Sequence, residues 1–153
     1  MMEAYNLSWI KDAFSQSYSF FVQGNVIGEF FDKPFTGSKK AFLFGARYIF
    51  ETEGVFRKHI NIINLETGSI IGKISFSLFL PQAVISLKET NYLWKPDGWF
   101  SYIKWSIYKN ETNRILNIEK RKEGNIFVID ENIPLLLVCG LLIRNRYYRS
   151  NNV

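Results

Sequence analysis

Between Ile133 and Ile143 the chain reads Ile-Pro-Leu-Leu-Leu-Val-Cys-Gly-Leu-Leu-Ile, a run that has no polar face in any helical projection. A helix of that kind has to be enclosed, because leaving any side of it in water would expose apolar surface. At ~1.5 Å per residue it reaches only about half-way across a hydrocarbon core, which needs roughly 20 apolar residues. Protein is therefore the expected container. Pro134 is tolerated in a first helical turn, and Asp130, Glu131 and Asn132 before it offer capping oxygens and negative charge to the free N–H groups. Arg144, Arg146 and Arg149 follow the run, where the helix dipole favours cations. Both ends thus read as emerging into water. Gly140 costs ~1 kcal/mol of helix propensity relative to Ala, which predicts that a strand or an aromatic ring approaches the axis closely there.

What precedes the run is patterned as strands. Aromatic residues make up 17% of the chain, with 14 Phe, 8 Tyr and 4 Trp, and side chains that large and flat favour β-structure around a bulky core. From Tyr18 onward, short apolar runs are broken by turn residues at the spacing of an all-β sandwich or barrel. Strands are expected near 19–22, 26–31, 41–47, 48–53 and 58–64. Glu66-Thr67-Gly68 marks a tight turn into a strand over 70–80, with Ile74, Phe76, Leu78 and Leu80 on its buried face. Ala83, Ile85 and Leu87 continue the alternation after Pro81, followed by a short strand over 92–95. Over 100–109, Ile103, Trp105 and Ile107 share the apolar side. Segments 114–122 and 125–129 form a last hairpin around Glu123-Gly124-Asn125. The total is about 12 strands, more than one flat sheet comfortably holds.

The fold class that follows is mainly β: a closed or nearly closed antiparallel β-barrel enclosing one apolar C-terminal α-helix. Residues 1–17 are expected to form a lead-in segment, with Ala4, Leu7, Trp9, Ile10 and Phe14 either on one face of a short helix or packed outside the fold. Residues 18–149 form the barrel domain, with the central helix over 131–146 and a tail over 150–153. At 153 residues a single domain buries about two-thirds of its unfolded surface.

Charge and chemistry narrow the function. Nineteen basic and 14 acidic residues leave a formal charge of +5, which favours anionic surfaces weakly and in a salt-dependent way. Nucleic-acid binding is disfavoured, because Trp105 falls on the apolar face and leaves no stacking platform over 102–109. Cys139 is the one cysteine, so a reducing compartment fits, and it is expected as a small core side chain whose thiol pKa burial raises. His59 is the one histidine, beside Lys58 and Arg57, where a strand surface is the expected setting. No His/Cys metal cluster, no cofactor motif and no nucleophile elbow is present. Glu51 and Glu53, two apart, are expected to face solvent together on one strand. With charges scattered through 1–17 and no continuous apolar region there, a cytoplasmic protein without a transmembrane span is expected, for which a place peripheral to the membrane is an option.

The segment Ile63-Asn64-Leu65-Glu66-Thr67-Gly68-Ser69-Ile70-Ile71-Gly72-Lys73-Ile74 resembles the mid-chain hairpin of the tubby C-terminal-like superfamily. Phe127-Val128-Ile129-Asp130 followed by 135–143 resembles that family's closing strand and core helix. Tubby domains, LURP-one-related proteins and, more distantly, phospholipid scramblases share this architecture. The resemblance implies a non-catalytic binding module for anionic lipid headgroups, or another anionic ligand, at a membrane surface. Scramblase-like proteins add a cysteine-rich acylated segment and calcium-binding acidic residues, which this chain lacks.

The basic residues available for such a site are Lys39, Lys40, Lys120, Arg121 and Lys122, joined by Arg144, Arg146 and Arg149 beyond the apolar run. Neighbours along a strand point to opposite faces, so neither short basic run need make one patch. The alternative class is a cytosolic protein-interaction or structural scaffold barrel. Its candidate surface is the aromatic loop around Pro96-Asp97-Gly98, with Tyr92, Trp94, Trp99 and Phe100 expected to be exposed. A barrel that carries a small apolar ligand is disfavoured, since the helix would fill the cavity.

Overall fold

The computed structural model describes residues 5–12, 14–33, 38–53, 59–98, 104–120, 123–128 and 133–151. They form twelve strands and one helix: β1 (Tyr5–Lys11), β2 (Ser17–Val22), β3 (Asn25–Phe31), β4 (Ser38–Leu43), β5 (Ala46–Glu53) and β6 (His59–Asn64), then β7 (Ser69–Phe76), β8 (Ala83–Leu87), β9 (Thr90–Pro96), β10 (Lys104–Lys109), β11 (Thr112–Lys120), β12 (Glu123–Val128) and α1 (Ile133–Asn151). The expected mainly β fold with one C-terminal helix is present. All pairings are antiparallel between chain neighbours, and β1 pairs with β2 on one side and with β12 on the other, so the strand order closes on itself.

The first strand corrects the expectation for residues 1–17. Tyr5–Lys11 is neither a helix nor an outer lead-in but the strand that joins both ends of the order, with Leu7 opposite Ile126 and Val22. Leu7 and Trp9 alternate inward, each 1% exposed, while Ile10 points out at 43%. Its pattern over so few residues fits a strand as well as a helix, and pairing on both edges decides for the strand.

Connections alternate between two ends of the sheet. At one end the turns are tight: Gln23-Gly24, Phe44-Gly45, Lys88-Glu89 and Asn110-Glu111 each join paired strands with positive φ at both residues. Two-residue turns of this twist match the right-handed twist of the flanking strands, and that gain holds even non-glycine residues in the left-handed region. The boundary expected between Arg47 and Tyr48 therefore falls at Phe44-Gly45. Gly124 lies within β12, opposite Trp9 and Glu119, and not in a turn. The strand expected over 70–80 stops at Phe76, and Leu78, Phe79 and Leu80 are exposed at 65%, 89% and 41%. Pro81, which has no N–H for a ladder, closes that loop, and the apparent alternation through Leu80 is coincidental.

Helix α1 is longer than the apolar run and includes all three arginines. Every residue from Leu136 to Ile143 is buried, Gly140 included, so no face of that stretch meets water. It packs against β4, β8, β9 and β10. At Gly140 the ring of Trp105 lies on the helix backbone: a Cβ there would stand 2.3 Å from Cη2 and 2.4 Å from Cζ3. Trp105 in turn packs against Trp94, with centroids 6.2 Å apart, and Trp94 stacks on Tyr147 at 5.7 Å. The predicted close approach at Gly140 is thus made by an aromatic ring. The capping residues Asp130, Glu131 and Asn132 lie outside the described residues.

Candidate functional site

The C-terminal half of α1 reaches the end of the sheet opposite the tight turns. There the Tyr147 hydroxyl donates to the Gln82 carbonyl between β7 and β8, at 2.6 Å. Arg149 reaches Asp32, just beyond β3. We refer to this as the loop end.

Asp32 organises the site. Its residue is 1% exposed, and both carboxylate oxygens are occupied. Oδ1 faces Lys39 Nζ at 3.0 Å and accepts from Arg149 NH1 at 3.2 Å. Oδ2 accepts from Asn145 Nδ2 at 2.8 Å and faces Arg149 NH2 at 3.2 Å. The same guanidinium donates to the Asp32 carbonyl at 3.3 Å, and the Asp32 N–H donates to the Gln16 carbonyl at 2.8 Å. Asn145, 3% exposed, donates also to the Tyr18 hydroxyl at 2.8 Å and accepts from Arg144 NH1 at 3.1 Å. A buried carboxylate is tolerable only when paired and hydrogen-bonded, and two cations together with hydrogen bonds from Asn145 and Arg149 meet that condition. The cluster ties α1 to β2, β3 and β4. One carboxylate faces two cations, which leaves an excess of one positive charge, and the Arg149 side chain is 36% exposed.

Two of the predicted basic residues, Lys39 and Arg149, come from opposite ends of the chain and meet on one partner. Lys40 points the other way, exposed on the outside of β4 while Lys39 turns in, as strand alternation requires. The other two helix arginines also belong to this end and lie on rings: Arg146 over Phe76 at 3.9 Å and Arg144 over Tyr148 at 4.9 Å. They stand within the helix rather than beyond it. Lys120 is the last residue of β11, and Arg121 and Lys122 lie outside the described residues.

Around the cluster stands an apolar rim. Phe14, between β1 and β2, is 99% exposed, and its backbone N–H donates to Asp12 Oδ1 at 2.9 Å. Across the end, Leu78 and Phe79 project from a loop held by Ser77 N–H to Gln82 O at 3.0 Å and Gln82 N–H to Leu80 O at 2.8 Å. Tyr148 at 46% exposure completes the group on the helix itself.

The aromatic surface expected at 92–100 is corrected. Tyr92 and Trp94 are 2% and 0% exposed, because they fall on the inward-facing register of β9 and pack against the core. Trp99 and Phe100 lie outside the described residues. His59 is exposed on β6 with Nδ1 3.2 Å from Ser75 Oγ, and Glu53 faces solvent, where it accepts from Asn61 at 3.0 Å and lies 3.9 Å from Lys73 Nζ. Cys139 is fully buried, and burial pushes its thiol far above the ordinary range.

Asp32, Asn145, Tyr18, Phe14 and Phe79 escape a reading by pattern. Asp32 sits in Asp32-Lys33-Pro34, which has the composition of an ordinary turn. Asn145 sits between two arginines, where a helix end in water is the natural reading. A signal was nevertheless present: a lone Asn placed two residues beyond an unbroken apolar run needs a buried partner or a very early helix end.

Taken together, these features define a class: a mainly β protein of one antiparallel sheet, with an apolar C-terminal helix clasped to it at one end by a buried carboxylate. A solved X-ray structure of an Arabidopsis thaliana protein is similar in fold, with a TM-score of 0.58 at 8% sequence identity over 92% of this chain and 88% of the other. At that identity the likeness is one of fold alone. No protein-family model and no curated protein matches the chain. Among the described residues no helix is long and apolar enough to cross a membrane.

Proposed function

We propose that the chain is a non-catalytic, tubby-like module, a barrel built about its own helix, which attaches to anionic membrane surfaces through the loop end. The observation that carries this reading is the Asp32 cluster: two cations share one buried carboxylate, so the end of the helix presents positive charge with a partly exposed guanidinium at its edge. Juxtamembrane basic residues contribute about 1 kcal/mol each near an anionic surface, within a Debye length of it.

The test is co-sedimentation with vesicles of phosphatidylcholine alone and of phosphatidylcholine with phosphatidylserine, at low and high salt. Binding to the anionic vesicles that declines with salt is expected. An about fivefold loss is expected in Arg149→Gln, provided its melting curve shows it folded. Equal binding to neutral vesicles, or binding to neither, overturns the reading.

A further inference from the structure

Strand order places the two most exposed aromatic side chains among the described residues at opposite points of the loop end. In the closed order, the β1–β2 connection carrying Phe14 and the β7–β8 connection carrying Phe79 are as far apart as any two connections there. Between them lies the end of α1, tied to one side through Arg149 and Asp32 and to the other through Tyr147 and Gln82. A small ligand in the cluster would not span the two opposite tips. A flat, extended partner touches both and meets the positive helix end between them.

We propose that Phe14 and the Leu78–Phe79 tip insert together into the interfacial layer of a lipid bilayer, so that the sheet axis stands on the membrane by its loop end. This rests on the anionic-surface reading above and adds the orientation and the inserting residues. Exposed aromatic side chains flanking cations are the chemistry of interfacial anchoring, in which apolar burial and attraction to anionic headgroups act together. The turn end carries exposed apolar side chains as well, Val26 at 61%, Phe44 at 65% and Ile70 at 63%. There Arg47 and Glu66 pair at 3.0 Å, and Lys88 and Lys109 are matched in number by Glu89 and Glu111, so among these described residues that end has no excess of positive charge.

Two double variants separate the ends in the same vesicle assay. Phe14→Ser with Phe79→Ser is expected to weaken binding to phosphatidylserine-containing vesicles by roughly tenfold or more, from the loss of two buried aromatic side chains. Phe44→Ser with Ile70→Ser is expected to leave it unchanged. All four positions are exposed, so unchanged melting curves are expected throughout. As a second readout, Phe79→Trp should add fluorescence that brominated lipids quench, whereas Trp9, Trp94 and Trp105 are buried and remain shielded.

Salt-sensitive binding by the native chain that the loop-end double variant leaves intact overturns insertion while leaving the anionic-surface reading standing. An equal loss from both double variants overturns the orientation. No vesicle binding by the native chain overturns both proposals, and a concentration-dependent dimer that Phe14→Ser with Phe79→Ser dissolves would assign the tips to a second copy instead.

Discussion

Replacing Gly140 by Ala sets two well-understood effects against each other inside the core. The substitution relieves the helix of its one glycine, worth about 1 kcal/mol in favour of the variant. Against that, the new methyl group would stand 2.3 Å from Trp105 Cη2 and 2.4 Å from Cζ3. Ordinary carbon–carbon contact requires roughly 1 Å of movement. Trp105 has nowhere to go: it is 0% exposed and backed by Trp94, which is stacked on Tyr147, which is bonded to Gln82. Overpacking a filled core costs about 1–3 kcal/mol, and a clash with a backed indole belongs at the upper end. The expected net effect of Gly140→Ala is a loss of about 2 kcal/mol, or roughly 4–8 °C in melting temperature for a chain of this size. Urea denaturation should show a lower midpoint at unchanged slope. Trimming the ring with Trp105→Phe in the Gly140→Ala background should recover part of the loss, giving a coupling energy in a double-mutant cycle. A Gly140→Ala variant as stable as the native protein would refute the account of why glycine is there.

Three further outcomes follow from the packing. Asp32→Asn leaves Lys39 and Arg149 without their shared charge and should cost about 2 kcal/mol in urea denaturation, less than a fully buried pair because Arg149 can turn to solvent. Trp9→Phe removes the 2.8 Å bond to Asn117, an amide whose nitrogen already lacks a partner, and should cost about 1–3 kcal/mol in the same assay; a neutral result would mean that water reaches Asn117. Because burial raises the Cys139 thiol pKa, its contribution to stability is complete below the unfolded thiol's value of about 8.5 and is lost as pH rises above it, by up to about 1.4 kcal/mol per pH unit. Cys139→Ala should lack that part of the alkaline slope, and identical slopes in the two proteins would count against a sealed thiol.

Features governed by alternation and by continuous apolarity could be read in the chain; features governed by distant partners could not. The apolar run, Gly140 and the inward positions Ile74, Ile85, Leu87, Trp105 and Ile107 follow from periodicity and steric logic, and the structure buries the run from Leu136 to Ile143 and all five inward side chains. Tyr92 and Trp94 went wrong because proximity to Pro96 and Gly98 suggests a loop, whereas β9 runs on to Pro96. Lys88-Glu89 and Asn110-Glu111 carry no glycine, so only the pairing of the flanking strands reveals them as turns. For the candidate site, Lys39 and Arg149 could be picked out as basic residues, but the carboxylate that unites them stands 117 positions from Arg149 and nothing local announces the contact.

The pairing of β1 with β12 has a consequence for how the protein is made. The bond between Trp9 and Asn117 joins residues 108 positions apart, and the helix that packs on the sheet comes later still in the chain. Contacts that distant are entropically late, and a ribosome releases them late as well. During synthesis, the nascent sheet therefore keeps two open edges until β12 emerges, and an uncovered apolar face until α1 follows. Its last residues to arrive, Asn145 and Arg149 among them, are the ones that fasten the helix in place, so synthesis and final locking run in the same direction.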